Sequence, residues 1–314
     1  MSPGQTAGAP AATVIIPTRN RADLLLQTIR SALQQTIPLE LLVMDDGSTD
    51  DTARRVAAEF PAVAVHREVI SRGPAWQRNR GVELSSTQVI VTLDDDCELV
   101  SPGTLARAIE QLQPPRVGAV TIPFVNVRQD NTVHSAAPNP EGIYCTAMFF
   151  GGMVAFKRAA YQEVQGYRSW YFMHVEEPDL ALRLLNAGFV VRLGSGDPIH
   201  HHESPSRNSI LELGPRNHIL FTLQNVPMPY VLGHLPVTIF RSVAYVSKIG
   251  HPFLGLRGAI QGIAASLAHP SRRKPVAGPV YQLHRQLKRL GAVPLAEIES
   301  RLPPLRLAGG SGAS

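Results

Sequence analysis

Two cysteines among 314 residues, Cys97 and Cys145, are too few for a disulfide framework. They are expected as free thiols in a reducing cytosol. No run of about 18 clean apolar residues occurs, so a membrane-crossing helix is not expected. The nearest stretch, Val226 to Ile249, is interrupted by Pro227, Pro229, His234, Pro236, Arg241 and Lys248. The opening MSPGQTAGAPAA has no basic region followed by an apolar one, so no secretory signal is read there; residues 1–12 are expected as a flexible leader. Charged side chains make up only 18% against 44% hydrophobic, which excludes wholesale disorder and supplies a sizeable core. Glycine is missing from Pro17-Thr18-Arg19-Asn20, the loop after the first apolar run. That disfavours a nucleotidyltransferase, which would place a glycine-rich phosphate loop there.

The net charge of +5 is unevenly spread. From Ser206 to Leu290 there are eleven Lys/Arg and one acid, Glu212, so the rest of the chain is acidic. An acidic body suits a bound cation, and a basic, apolar C-terminal segment suits an anionic surface. No zinc, helix-turn-helix or RNA-binding signature accompanies the basic segment, so nucleic acid is not an expected partner.

Along the chain, short continuous apolar runs alternate with helical periodicity. Thr13 to Pro17, Leu39 to Met44, Val63 to His66, Gln88 to Leu93 and Val117 to Ile122 read as strands buried on both faces. Asn20 with Asp23, and Ser48 with Asp51, read as capping pairs for the helices that follow. Pro74 to Leu84 is expected to be helical, and residues 123–150 to be loops. Glu176 and Glu177 are expected in a loop before a helix marked by Pro178, Leu180, Leu184 and Leu185. Strand-helix alternation implies right-handed crossovers and a mainly parallel sheet, with ligands beyond the carboxyl ends of its strands. Ile239, Val243 and Val246, then Leu256, Ile260, Ile263 and Leu267, then Val280, Leu283, Leu287 and Leu290 repeat at helical spacing with basic residues opposite.

One stretch resists a packing explanation. Ile90 to Glu98 reads IVTLDDDCE, a buried strand that delivers Asp94, Asp95 and Asp96 to its end. Three adjacent carboxylates repel one another unless a cation or polar partner neutralises them. Asp46 ends a neighbouring strand, so acidic groups from two strands converge on one edge of the sheet. A solvated turn would explain the triplet alone, but not its agreement with Asp46.

The series VIIPTRNR, VMDDGSTDDT, GPAWQRNRG, VTLDDDCEL, EEPDLALRLLNAG, HHES and PRN resembles the family 2 glycosyltransferases with the GT-A fold, over roughly Thr13 to Asn225. The resemblance implies an α/β, Rossmann-like, mainly parallel mixed sheet flanked by helices, here with a C-terminal amphipathic helical segment. It implies inverting transfer of a sugar from a nucleotide-diphosphate donor. Pro17, Thr18, Arg19 and Asp46 would line the nucleotide pocket, with Arg78 and Asn79 beside the donor. Asp94 and Asp96 would match the ends of the DxD motif, Asp96 holding Mg²⁺ or Mn²⁺ on the pyrophosphate and Asp94 acting through the ribose or as a second metal ligand. Asp95 supports the turn or touches the ribose. Gly151 and Gly152 would form the acceptor-side wall. Glu176 and Glu177 match a Glu-Asp pair whose second member is the base; Glu stands at 177 where many members carry Asp. The turn before the pair, Gly166-Tyr167-Arg168-Ser169-Trp170, also departs from the family's usual form.

Among His200, His201 and His202, the last is favoured as a metal ligand because Glu203-Ser204 follows it. Trp170 either stacks on an acceptor sugar or sits in the core. The chemistry asks for a hard cation on the leaving diphosphate and a carboxylate across the sugar to take the acceptor's proton. The expected organisation is a leader over 1–12, a catalytic domain over 13–225 that divides near 122, a basic helical segment over 226–302 and a disordered tail over 303–314. The expected role is synthesis of a cell-surface polysaccharide or glycolipid in the cytoplasm. A glycan or lipid-linked acceptor and peripheral contact with the inner face of the membrane go with it. The competing reading is a nucleotide-sugar-binding protein without turnover, which would need Asp46 and Asp96 but not Glu177.

Overall fold

The computed structural model describes residues 9–129, 131–202 and 210–306. Most of the expected leader, the end of the expected tail, and Glu203, Ser204 and Arg207 lie outside the described residues.

The N-terminal half follows the expected alternation: β1 (Ala12–Thr18), α1 (Ala22–Leu33), β2 (Leu39–Asp45), α2 (Thr52–Glu59), β3 (Ala64–Arg67), α3 (Pro74–Leu84) and β4 (Val89–Leu93). A two-residue strand β5 (Cys97–Glu98), α4 (Thr104–Gln111) and β6 (Val117–Thr121) complete it. The 123–150 stretch, expected as loops, contributes β7 (Phe124–Asn126), β8 (Val133–His134) and β9 (Tyr144–Thr146). Strands of two or three residues are too short to print a period-two pattern. Then come β10 (Met153–Lys157), α5 (Arg158–Glu163), α6 (Glu176–Asn186), β11 (Val190–Arg192) and β12 (Ile199–His201). Helices α7 (Ile210–Asn225), α8 (Tyr230–Lys248), α9 (Pro252–Ala268) and α10 (Gly278–Leu290), strand β13 (Val293–Pro294) and helix α11 (Leu295–Ile298) follow.

The main sheet runs β13-β9-β11-β6-β10-β4-β1-β2-β3. Strands β4, β1, β2 and β3 are parallel, and β10 enters antiparallel between β4 and β6. The chain leaves β1 towards β2 on one side and returns through α3 to β4 on the other. That reversal opens a crevice at the carboxyl ends of β1 and β4, where ligands bind in such sheets. Every residue of β1 is buried, which explains its unbroken apolar character. A second sheet, β5-β12-β7-β8, sits at the mouth of the crevice and pairs His201 with Cys97 and His200 with Glu98.

Both expected caps are wrong in detail. Asn20 has a left-handed backbone (φ 56°), and its Oδ1 accepts from the Thr49 and Asp50 amides, so it ties β1's end to the loop after β2. Asp50, not Ser48, accepts the Thr52 amide at the start of α2. Residues 278–302, set apart by their basic charge, return to the core. Strand β13 pairs with β9 on the sheet edge, and Val280, Leu283 and Leu287 of α10 join the same apolar cluster as Val91, Val120 and Cys145. Both cysteines are free and buried.

Candidate active site

The aspartates at the end of β4 are held separately. Asp94 is half-buried and accepts from Arg78 Nη2 at 2.7 Å. Asp95, 4% exposed, accepts from Thr18 Oγ1 at 2.7 Å and Arg21 Nη1 at 2.8 Å. Asp96, 5% exposed, lies 3.1 Å from the same Arg21 nitrogen and 3.3 Å from His201 Nε2. Burial pushes the Asp95 carboxyl up to about 6, although Arg21 pulls the other way. Asp96 goes down: burial opposes its charge, but His201 and Arg21 outweigh burial. Asp96, held charged by His201 and Arg21, is therefore suited to face a cation.

Arg78 and Gly151-Gly152 explain each other. A Cβ on Gly151 would stand 2.6 Å from Arg78 Nη1, and one on Gly152 would fall on the Asp94 carboxylate. Two glycines are needed because a fully buried arginine and its aspartate press against that backbone. The Gly152 carbonyl also accepts from the Asp94 amide at 3.1 Å, and the Gly151 carbonyl from Thr92 Oγ1 at 2.5 Å. On its other side Arg78 Nη1 lies 3.7 Å from Glu176 Oε1. Burial works against the Arg78 charge, and Asp94, with Glu176 and Glu177 behind it, more than restores it. One guanidinium thus spans the gap between the triplet and the acidic pair.

Glu176 and Glu177 open α6 rather than preceding it. Glu176 is buried, and burial followed by the neighbouring Glu177 charge drives its carboxyl well above the usual range. Its Oε2 lacks a partner among the described residues. Glu177 is half-buried and retains access to solvent. Of the two, Glu177 is the one fit to accept a proton.

The segment leading into this pair is strained. Phe172, His174 and Val175 have φ of 67°, 67° and 69°, a region that L side chains rarely adopt. Asn217, fully buried on α7, clamps it: Nδ2 donates to the carbonyls of Tyr171, Met173 and His174 at 2.8, 2.8 and 2.9 Å. Arg216 Nη1 donates to Asn217 Oδ1 at 2.7 Å and to the Trp170 carbonyl at 3.1 Å. The sequence flagged this Arg-Asn pair without a role; it fixes the turn that aims α6.

Several expected residues stand elsewhere. Asn79 does not join Arg78 beside the crevice: its amide donates to the Tyr167 carbonyl at 2.7 Å and accepts from Tyr161 Oη and the Tyr167 amide. Asp46 is saturated by four donors, Ser71 Oγ, the Arg72 and Gly73 amides and Gln77 Nε2, so its carboxylate pins the loop before α3 to the end of β2. Trp170 donates from Nε1 to Gln224 at 3.2 Å, and the Arg272 guanidinium covers its ring at 4.6 Å. It packs on the C-terminal helices. Pro17 is buried and Arg19 exposed at the end of β1; Arg21, unassigned by the sequence, is the arginine that reaches the aspartates.

His201, not the favoured His202, stands beside Asp96, while His202 joins His200 and Glu98 in a second group able to hold an ion. Strand register sends His200 and His202 to one face of β12, where His202 Nε2 lies 2.9 Å from Glu98. It sends His201 to the other, beside Asp96 and Asn126. Asp96, Cys97 and His201 offer ligand atoms within 4.8 Å of one another. Burial, then the nearby Asp94 charge, keeps the Cys97 thiol protonated, so Asp96 and His201 are the effective donors. One carboxylate and one imidazole, with Arg21 standing beside the carboxylates as a counter-charge, fit Mn²⁺ or Mg²⁺ with open positions for phosphate oxygens.

A Rossmann-like half with carboxylates beyond β2 and β4 is coupled through a buried arginine to an acidic pair opening a helix, on a mixed sheet of the GT-A kind. The model of glycosyl transferase family 2 matches residues 13–165. The succinoglycan biosynthesis protein ExoU of Rhizobium meliloti (strain 1021) is 34% identical over 143 residues, 43% of this chain and 41% of its own. This chain therefore matches about two fifths of that relative's length. The mannosyltransferase PcManGT from Pyrobaculum calidifontis, solved with GDP-Man and Mn2+, superposes with a TM-score of 0.56 at 23% identity, over 88% of this chain and 79% of its own. S. aureus TarS 1-349, solved with UDP-GlcNAc, gives 0.57 at 15% identity, over 73% and 72%. At these identities the two structures show a shared fold.

Proposed function

We propose that this protein is a metal-dependent, inverting glycosyltransferase that moves a sugar from a nucleotide-diphosphate donor to an acceptor hydroxyl. Its proposed setting is cell-surface polysaccharide or glycolipid synthesis at the cytoplasmic face of the cell membrane, with a glycan or lipid-linked acceptor. The relative named for succinoglycan biosynthesis and the neighbour solved with GDP-Man and Mn2+ support the reading. The observation that carries it is Arg78, one buried cation held between Asp94 on the donor side and Glu176 on the acceptor side.

In this mechanism Asp96 and His201 would hold a divalent cation, which would supply neutralisation of the departing diphosphate. Arg21 keeps Asp95 and Asp96 in place through ion pairs at 2.8 and 3.1 Å. Arg78 orients Asp94 and keeps positive charge near the anomeric centre. Glu176, buried against Arg78, is not placed to compete as base. Glu177 takes the acceptor hydroxyl's proton as that oxygen attacks from the face opposite the leaving group, which inverts the centre.

The test is a panel of nucleotide sugars with and without Mn²⁺, scored by nucleoside diphosphate release. One donor is expected to turn over, with release lost in Asp96→Ala. Glu177→Gln should lower turnover by about 10²- to 10⁴-fold with donor binding retained. Donor binding without turnover, indifferent to Glu177→Gln, would leave a nucleotide-sugar-binding protein instead.

A further inference from the structure

Helix α9 is built the wrong way round for water, and α8 leaves large apolar side chains outside although its Val246 is buried. Of the apolar stripe read from the sequence on α9, Leu256, Ile260 and Leu267 face outward, 50%, 58% and 76% exposed, with Ile263 half-buried. Phe240 and Phe253 are exposed beside it at 73% and 84%. The inward side of α9 is glycine. A Cβ on Gly255 would meet the Val243 backbone of α8 at 3.1 Å, one on Gly262 would meet the Arg216 carbonyl of α7 at 2.6 Å, and one on Gly258 would collide with the Glu212 carbonyl. Small residues bring these backbones together while large apolar side chains are left outside. That is how helices pack when the medium around them is hydrocarbon. In water the same arrangement forfeits burial worth roughly 25 cal/mol for each Å² of apolar surface.

Neither helix is long and apolar enough to cross a membrane. An apolar face without a span describes a helix lying in the interface. Charge identifies the surface. Between residues 226 and 290 there is no Asp or Glu, while Arg241 and Lys248 lie exposed on α8 and Arg273 and Lys274 follow α9; Arg257 pairs with Glu212 and Arg272 covers Trp170. A second copy of the chain would bring like charge against like; an anionic surface complements it.

We propose that α8 and α9 together dock this protein on an anionic lipid bilayer, with their outer apolar side chains inserted among the headgroups. The proposal deepens the reading above and rests on it only for location, because docking is measurable without any donor. It also gives the bilayer a route to the site. Ala265 of α9 packs against the cluster of Tyr171, Val175 and Leu220, and α7 carries the Asn217 clamp on the turn before Glu177. The docked helices therefore stand directly behind the turn that aims the base.

The experiment is flotation of the full chain with vesicles of phosphatidylcholine alone or mixed with phosphatidylglycerol, at low and high salt. Binding is expected to the mixed vesicles and to weaken with salt. Phe240→Ser with Phe253→Ser and Ile260→Ser should reduce partitioning at least 10-fold. Arg241→Gln and Lys248→Gln should each reduce it about 5-fold. All five positions are solvent-exposed, so the thermal midpoint and nucleotide-sugar turnover in solution should be retained, which separates a docking failure from a failure of the enzyme reading. Equal flotation of the triple variant would overturn the proposal. So would a concentration-dependent dimer, lost in the triple variant, in a chain that ignores every vesicle.

Discussion

At the scale of single residues, the site depends on how closely Arg78 and Asp94 approach the Gly151-Gly152 backbone. Gly152→Ala puts a methyl where the Asp94 carboxylate stands, so the aspartate must leave Arg78 or the β4–β10 pairing must open. The expected loss is about 1–3 kcal/mol of stability, as for other overpacked sites, measured by urea unfolding. Donor turnover should fall further than that loss explains, because Asp94 is displaced in the folded protein too. The three aspartates were legible because charge at the end of a buried strand has no packing motive. Arg21 and His201 were not. Choosing Arg21 over Arg19 depends on where the chain turns into α1. Choosing His201 over His202 depends on the pairing of β12 with β5, and one residue of register sends the imidazole to the opposite face. Asp46 shows the reverse error: its position at the end of β2 was read correctly, but not the four donors from residues 71 to 77 that already occupy it.

At the scale of elements, the strained turn at 172–175 acts as the mounting for α6. A backbone held at three unfavourable φ values relaxes when its clamp is removed. Asn217→Ala takes away the donor serving three carbonyls, so the start of α6 should drift and carry Glu177 with it. The expected outcome is a fall in kcat of about 10²-fold, the order of a misplacement near 1 Å, with donor KM little changed. A matching loss in KM, or a loss explained by unfolding alone in a thermal melt, would make Asn217 merely structural. Long elements were legible from periodicity, but their starts were not. Asn20 and Ser48 have the composition of caps, yet a tertiary bond took each of them: Asn20 to the loop after β2, and Ser48 Oγ to the Asn20 amide at 3.0 Å.

At the scale of the whole molecule, the basic charge of the last third hid a division. Helices α7 to α9 pack on one another, whereas α10, β13 and α11 complete the central core. Residues Leu283 and Leu287 repeat as evenly as Leu256 and Ile260; only the neighbours they meet make one stripe an interior and the other a surface. The buried imidazole of His284 on α10 reports on that closure. Burial, followed by the Lys288 charge, pulls it down to about 4 from the usual 6.5. Its folded form therefore prefers to be neutral. Stability present above pH 6.5 should drain away as pH falls towards 4, by up to about 3 kcal/mol at 1.36 kcal/mol per pH unit. His284→Leu should flatten that acid limb in a series of thermal melts, and an unchanged slope would locate the acid sensitivity elsewhere. The pairing of β13 with β9 also sets a schedule for synthesis. A ribosome releases the N-terminal half, the aspartates and the acidic pair well before residues 293 and 294 exist. Until then β9 offers a bare edge, and Cys145 waits for the strand that will face it, a condition in which nascent chains are prone to pair with the wrong partner. A shortened gene that keeps every catalytic residue but stops before β13 would thus leave the growing polypeptide permanently in that unfinished state.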